Sequence, residues 1–111
     1  MGYICAFVTH SMPGLVKIGA TARDPAERLA EANAPTTGRP PEPYYLACSF
    51  SVPIERETFQ MKRALYAMLA ARRVNARRDF FRLTPDEARA YFALLAYQEG
   101  SPTPPGTPES F

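Results

Sequence analysis

The first 28 residues restrict the fold more than any other stretch. Tyr3-Ile4-Cys5-Ala6-Phe7-Val8-Thr9 is an apolar run with β-branched positions, Leu15-Val16-Lys17-Ile18-Gly19-Ala20 is a second, and Ser11-Met12-Pro13-Gly14 between them is turn chemistry. Together they predict a β-hairpin. Asp24 then stands as an N-cap, Pro25 suits the first helical position, and Glu27 lies three residues beyond the cap. That arrangement predicts a helix through about Asn33, carrying Arg28. Hairpin and helix so deliver a lysine, Lys17, and an arginine, Arg28, to one end of the domain.

The remaining elements follow the same logic. Residues 34–43 hold four prolines and a glycine and read as a loop, after which Tyr44 to Val52 resumes as a strand. Pro53 opens a helix expected to run to about Arg73, roughly 30 Å at 1.5 Å per residue. On it Phe59, Leu65, Met68 and Leu69, with Ala64 beside them, recur at helical spacing as one apolar stripe. Phe80-Phe81-Arg82-Leu83 reads as a short strand or extended hook. Thr84-Pro85-Asp86-Glu87 repeats the cap, proline and acidic third position of a helix through about Gln98. Residues 100–111, with four prolines and two glycines, are expected to form a disordered tail after a domain spanning 1–99.

A chain of 111 residues, 46% of them hydrophobic, suffices for one core without metal or disulfide staples. No apolar run reaches 18 residues and no basic-then-apolar leader opens the chain, so a cytoplasmic protein without a membrane partner is expected. Cys5 and Cys48 both lie in apolar strand-like runs, where a thiol behaves as a small buried hydrophobe. The formal charge of +2 is unevenly spread: from Arg56 to Arg82 eight Lys and Arg stand against Glu57 and Asp79, a local charge of +6. Such a patch is the footprint of a polyanion-binding surface, with an ordinary solvated helix face as the competing reading.

The quoted segments also carry a family resemblance. Gly2-Tyr3-Ile4-Cys5, the run from Ser11 to Gly19, Arg23-Asp24-Pro25-Ala26-Glu27-Arg28-Leu29 and the run from Arg73 to Phe81 resemble the GIY-YIG endonuclease superfamily, in its phage- and virus-borne branch with K-I-G as the second motif. The likeness extends from about residue 2 to residue 98. It implies an α+β fold, a small three-stranded antiparallel sheet flanked by about three helices. It also implies metal-dependent hydrolysis of phosphodiester bonds in DNA with one Mg2+ or Mn2+. Such chemistry needs a base to activate water, a cation against the developing phosphorane charge, and a metal to polarise the phosphoryl oxygen. A catalytically degenerate nucleic-acid-binding module is the alternative.

The resemblance assigns roles by position. Lys17 takes the first position of the second motif and would set an ammonium near the scissile phosphate. Arg28 matches the helix arginine, whose guanidinium fork suits phosphate oxygens. Cys5 departs from the family, standing where a tyrosine hydroxyl is expected, and Tyr3 shares its face of the strand because side chains alternate. Tyr3 would supply the missing hydroxyl, or pack, or help bind the backbone. Two registers compete for the metal ligand. The local string Ile54-Glu55-Arg56-Glu57-Thr58-Phe59 makes it Glu57, whereas counting back from Arg73-Val74-Asn75 sets Tyr66 at a common histidine position and Lys62 at the acidic one, leaving no carboxylate. His10, Arg23, Lys62, Arg73, Arg77 and Arg78 are the candidate nucleic-acid contacts. A domain this small offers little surface for sequence readout, so a homodimer or an accessory protein is the expected source of specificity.

Overall fold

The computed structural model describes residues 1–35, 40–75 and 78–98. Four strands, β1 (Gly2–Val8), β2 (Leu15–Thr21), β3 (Tyr45–Val52) and β4 (Phe80–Arg82), form one antiparallel sheet in the order β3-β1-β2-β4. Three helices accompany it: α1 (Pro25–Ala32), α2 (Thr58–Met68) and α3 (Pro85–Gln98). The α+β class is as expected, but the sheet has four strands rather than three. The hook after residue 79 is a strand because Phe80, Phe81 and Arg82 pair with Lys17, Val16 and Leu15, and Arg73 bridges Phe81 on its other side. Flanking amide bonds, Ile18 to Asp79 O at 3.0 Å and Leu83 to Gly14 O at 3.2 Å, extend the ladder at both ends. Arg77 and the tail from residue 100 lie outside the described residues.

Gly14 closes the hairpin with φ +78°, a left-handed conformation that glycine adopts at no steric cost. β1 is central, and Ile4, Cys5, Ala6 and Phe7 are each 0–1% exposed, so both of its faces are buried. On one face Ile4, Ala6, Val16, Ile18, Phe50 and Val52 meet Leu65 and Leu69 of the α2 region and Phe92 and Leu95 of α3. Each of these side chains larger than alanine contributes about 1.5–3 kcal/mol by leaving water. The opposite face carries a smaller cluster of Cys5, Phe7, Ala32 and Tyr44, with Tyr3, Met12, Leu29 and Phe80 packed against it. This second face is the one α1 partly covers.

Capping follows the chemistry of the sequence. The Asp24 carboxylate accepts from the Ala26 amide at 2.8 Å with Pro25 behind it. At α3, Thr84 Oγ1 accepts from the Glu87 amide at 3.1 Å while Glu87 Oε1 accepts from the Thr84 amide at 3.0 Å, a reciprocal capping box. The second helix is shorter than expected. A 3-10 turn over Glu55–Glu57 precedes it, another over Ala70–Arg72 follows, and α2 itself has 11 residues, or about 16 Å. Its start is pinned where Thr58 packs on Gly2 and its end where Arg73 turns to bridge Phe81. Phe59 also leaves the expected stripe: it is 63% exposed, because Thr58, Leu65 and Leu69 set the buried side and six residues separate Phe59 from Leu65, well round the helix.

Candidate nucleic-acid interface

Cross-strand register assembles the site. Phe7 pairs with Lys17, Cys5 with Gly19 and Tyr3 with Thr21, so all six residues lie on the face of the sheet shared with α1. Tyr44 closes this face because Asn33, just beyond α1, holds it by both backbone groups, Asn33 Nδ2 donating to Tyr44 O at 2.9 Å and Tyr44 N donating to Asn33 Oδ1 at 2.7 Å. Phe7 and Tyr44 meet edge to face with ring centroids 6.4 Å apart. The result is an aromatic floor.

Two cations stand over it. Lys17 Nζ lies 5.4 Å from the centre of the Tyr44 ring and 5.9 Å from that of Phe80, while the Arg28 guanidinium lies 5.8 Å from that of Phe7. A methyl group on Gly19 would sit 4.0 Å from Arg28 Nη2, so the arginine spans the β2 backbone where no side chain intervenes. Cation–π attraction of about 0.5–2 kcal/mol offsets part of the cost of partial burial. Among the described residues no carboxylate lies within ion-pair distance of Lys17, Arg28 or Arg78.

The electrostatics agree with that geometry. Burial first, then the charges of Arg28 and Arg78, hold the Lys17 ammonium below its ordinary pKa, with Asp79 opposing them. Burial raises the Tyr44 phenol and Arg78 partly counters it. Cys5 is pushed up to about 11 by burial, against the pull of Arg28, so it is a protonated packing thiol at neutral pH. Like Cys48 it is a free cysteine. Tyr3 is half-buried against the same cluster.

The other candidates lie around this face or away from it. Arg73 is drawn inward, its Nη2 3.5 Å from Asp79 Oδ1 and its guanidinium 4.9 Å from the Tyr66 ring. Arg78 is exposed beside it, and Arg73 Nε donates to its carbonyl at 2.9 Å. Arg23 pairs with Glu31 at 2.9 Å on the surface of α1. His10 is exposed at the hairpin turn, its ring 5.4 Å from that of Tyr45. Lys62 sits over Tyr66 at 5.1 Å and over Phe59 at 5.7 Å. Glu57 borders a hollow with Gln60, Met61 and Ala64, two of which pack against the larger core, so it opens on the α2 side of the molecule rather than beside Lys17.

Sequence reasoning missed two contributors. Tyr44 was read only as the first residue of a strand, although a tyrosine between a proline-rich loop and a strand is well placed to wall a site. Asp79 was counted only as an offset to the basic patch, yet Tyr66 OH lies 2.9 Å from its Oδ1 and 2.8 Å from Ile18 O. Burial and this carboxylate raise the Tyr66 phenol far above its ordinary range. The bond joins α2 to β2 and β4 across 48 and 13 positions, a separation that no local motif encodes.

No helix among the described residues is long and apolar enough to cross a membrane. No curated protein and no solved structure matches the chain. Residues 2–96 match the family model of the T5orf172 domain. With nearly all the described residues inside that match, the chain belongs to the T5orf172 domain family.

Proposed function

We propose that this domain binds the sugar-phosphate backbone of DNA, seating phosphates between Lys17 and Arg28 with Arg78 at the rim. One observation carries the reading: two cations without carboxylate partners among the described residues stand side by side over an aromatic floor, on the sheet face that α1 leaves partly open. A desolvated ammonium and a guanidinium attract phosphate more strongly than the same groups in bulk water, because the local dielectric is lower. In terms of the GIY-YIG resemblance, the chain keeps the lysine and arginine, keeps the acidic position as Glu57 in the first register, and departs at the others. A buried thiol, Cys5, holds the place of the hydroxyl, and Lys62, lying against Tyr66, holds the acidic place in the second register.

Mg2+ and Mn2+ are hard cations that keep several waters and are held by one or two carboxylates together with substrate phosphates, so Glu57 alone would be the protein's ligand in the first register. Among the described residues no group of three or more His, Cys, Asp and Glu side chains is arranged to hold a metal ion. With a buried thiol, Cys5, where the hydroxyl is expected, a GIY-YIG-like binding module is the better-supported function. A metal-dependent endonuclease is the second reading, favoured by Asp79, whose charge acts on Lys17 and so lies near the seat.

Binding and cleavage are separable. The purified domain is expected to bind labelled duplex DNA and to lose about a hundredfold or more in affinity on Lys17→Ala plus Arg28→Ala, since charge-assisted hydrogen bonds are worth about 1.5–3 kcal/mol each. Binding unchanged by the pair of substitutions would refute the assignment. Supercoiled DNA incubated with Mg2+ or Mn2+ is expected to remain intact. Nicking abolished by Arg28→Ala together with either Asp79→Asn or Glu57→Ala would establish the endonuclease instead.

A further inference from the structure

A second surface lies along β2 from the phosphate seat. The end of β2 and the start of the second helix enclose a groove of ≈ 320 Å³ lined by Ala20, Thr21, Ala22, Glu55, Arg56, Thr58 and Phe59. Thr21 shares the face that carries Lys17, and four residues at about 3.3 Å each put it roughly 13 Å further along the strand. Phe59 stands at this groove with 63% of its surface exposed, although its neighbours on α2 are mostly polar. A large ring in that position costs the folded chain hydration and returns no core packing.

The ring has ordered cationic company. Lys62 Nζ lies 5.7 Å from its centre and 5.1 Å from that of Tyr66, and Arg73 lies 4.9 Å from Tyr66 and 5.8 Å from Phe81. Aromatic rings and cations thus alternate along the flank of α2, ending in an open aromatic face. Arg56, Lys62 and Arg63 have no ion-pair partner among the described residues, and the groove's Glu55 lies 4.0 Å from the N-terminal ammonium. An open aromatic face flanked by cations, in a groove lined by a residue, Thr21, of the strand face that carries the phosphate seat, is a construction suited to unstacked bases, since every base offers a π-face and its phosphate an anion.

We infer that Phe59 is a stacking platform for an unpaired nucleobase, and that the domain prefers single-stranded nucleic acid, or an unpaired segment next to a duplex, over fully paired duplex. This rests on the phosphate seat of the proposed function. A strand held at Lys17 and Arg28 runs past Thr21 and lays one base on Phe59, with Arg56 and Lys62 taking the next phosphates. In a closed duplex the bases are stacked on one another and none is available to the ring.

Substitution at Phe59 tests the inference without threatening the fold, because the side chain is exposed. The probes are a fluorescein-labelled oligo-dT single strand and a blunt duplex of equal length, measured by anisotropy. Phe59→Ala is expected to weaken single-strand binding about tenfold and to leave duplex binding within twofold, while Phe59→Tyr keeps both. The chain contains no tryptophan, so Phe59→Trp adds a single reporter whose emission is expected to be quenched by oligo-dT and unaffected by the duplex. Equal losses on both probes, or no loss on either, overturn the platform. Lys17→Ala plus Arg28→Ala is expected to weaken both probes alike. If that pair has no effect while Phe59→Ala acts selectively, the phosphate seat fails and the stacking surface stands. If the parent binds neither probe, both fail together.

Discussion

At the scale of single residues, Lys17 has the most consequential environment. Burial and two neighbouring arginines depress its pKa below the ordinary 10.5, so in the free domain part of its charge is lost earlier on the alkaline side. A bound phosphate favours the protonated form and raises that pKa again. Binding therefore takes up a proton above the depressed value, and affinity must fall as pH rises through it. Titrating DNA binding upward from about pH 7 to the ordinary lysine value of 10.5 is expected to show this decline below that value, and Lys17→Arg is expected to move it out of range, since arginine stays charged. A flat profile in the parent would remove Lys17 from the interface. Lys17 and Arg28 were legible in the sequence because a strand-turn-strand-cap pattern fixes where they emerge. Their partner Tyr44 was not, because its position depends on the backbone clamp from Asn33, eleven residues earlier.

At the scale of elements, β1 and α2 meet at a tight junction. A Cβ on Gly2 would overlap Thr58 Oγ1, and that hydroxyl is itself buried without a hydrogen-bond partner. Gly2→Ala is expected to destabilise the domain by about 1–3 kcal/mol in urea unfolding. Thr58→Ala in the same chain is expected to recover part of that loss; strict additivity of the two changes would contradict the contact. A second junction is the Tyr66 hydroxyl between Ile18 O and Asp79. Tyr66→Phe is expected to cost about 1–2 kcal/mol by the same measurement, and no loss of stability would mean that the bond is worth nothing net. The hairpin, the α1 cap and the α3 capping box could all be read from local sequence, since each depends on residues within a few positions of one another. For the fourth strand the sequence leaves a short strand and an extended hook both open, for three residues are too few to show a period and their pairing with Leu15–Lys17 is long-range. The interruption of the second helix was hidden for the same reason, being imposed by what its ends touch.

Across the whole molecule, charge and topology combine. The basic stretch from Arg56 to Arg82 reads as one continuous patch in sequence, but the fold spends Arg72 on Glu87 at 2.8 Å and Arg73 on Asp79, leaving Arg56, Lys62, Arg63, Arg78 and Arg82, like Lys17 and Arg28, without an ion-pair partner among the described residues. Neither Lys17 nor Arg28 belongs to that stretch. The chain belongs to the T5orf172 domain family over residues 2–96. The central claim, that Lys17 and Arg28 hold DNA phosphates, is tested most directly by the salt dependence of duplex binding. Each phosphate contact on duplex DNA contributes about −0.9 to the slope of log affinity against log salt. Lys17→Ala plus Arg28→Ala is therefore expected to make the slope shallower by about 1.8 as well as lowering affinity at every salt concentration. A slope identical in the parent and the double variant, or a parent whose binding does not respond to salt, would contradict the account.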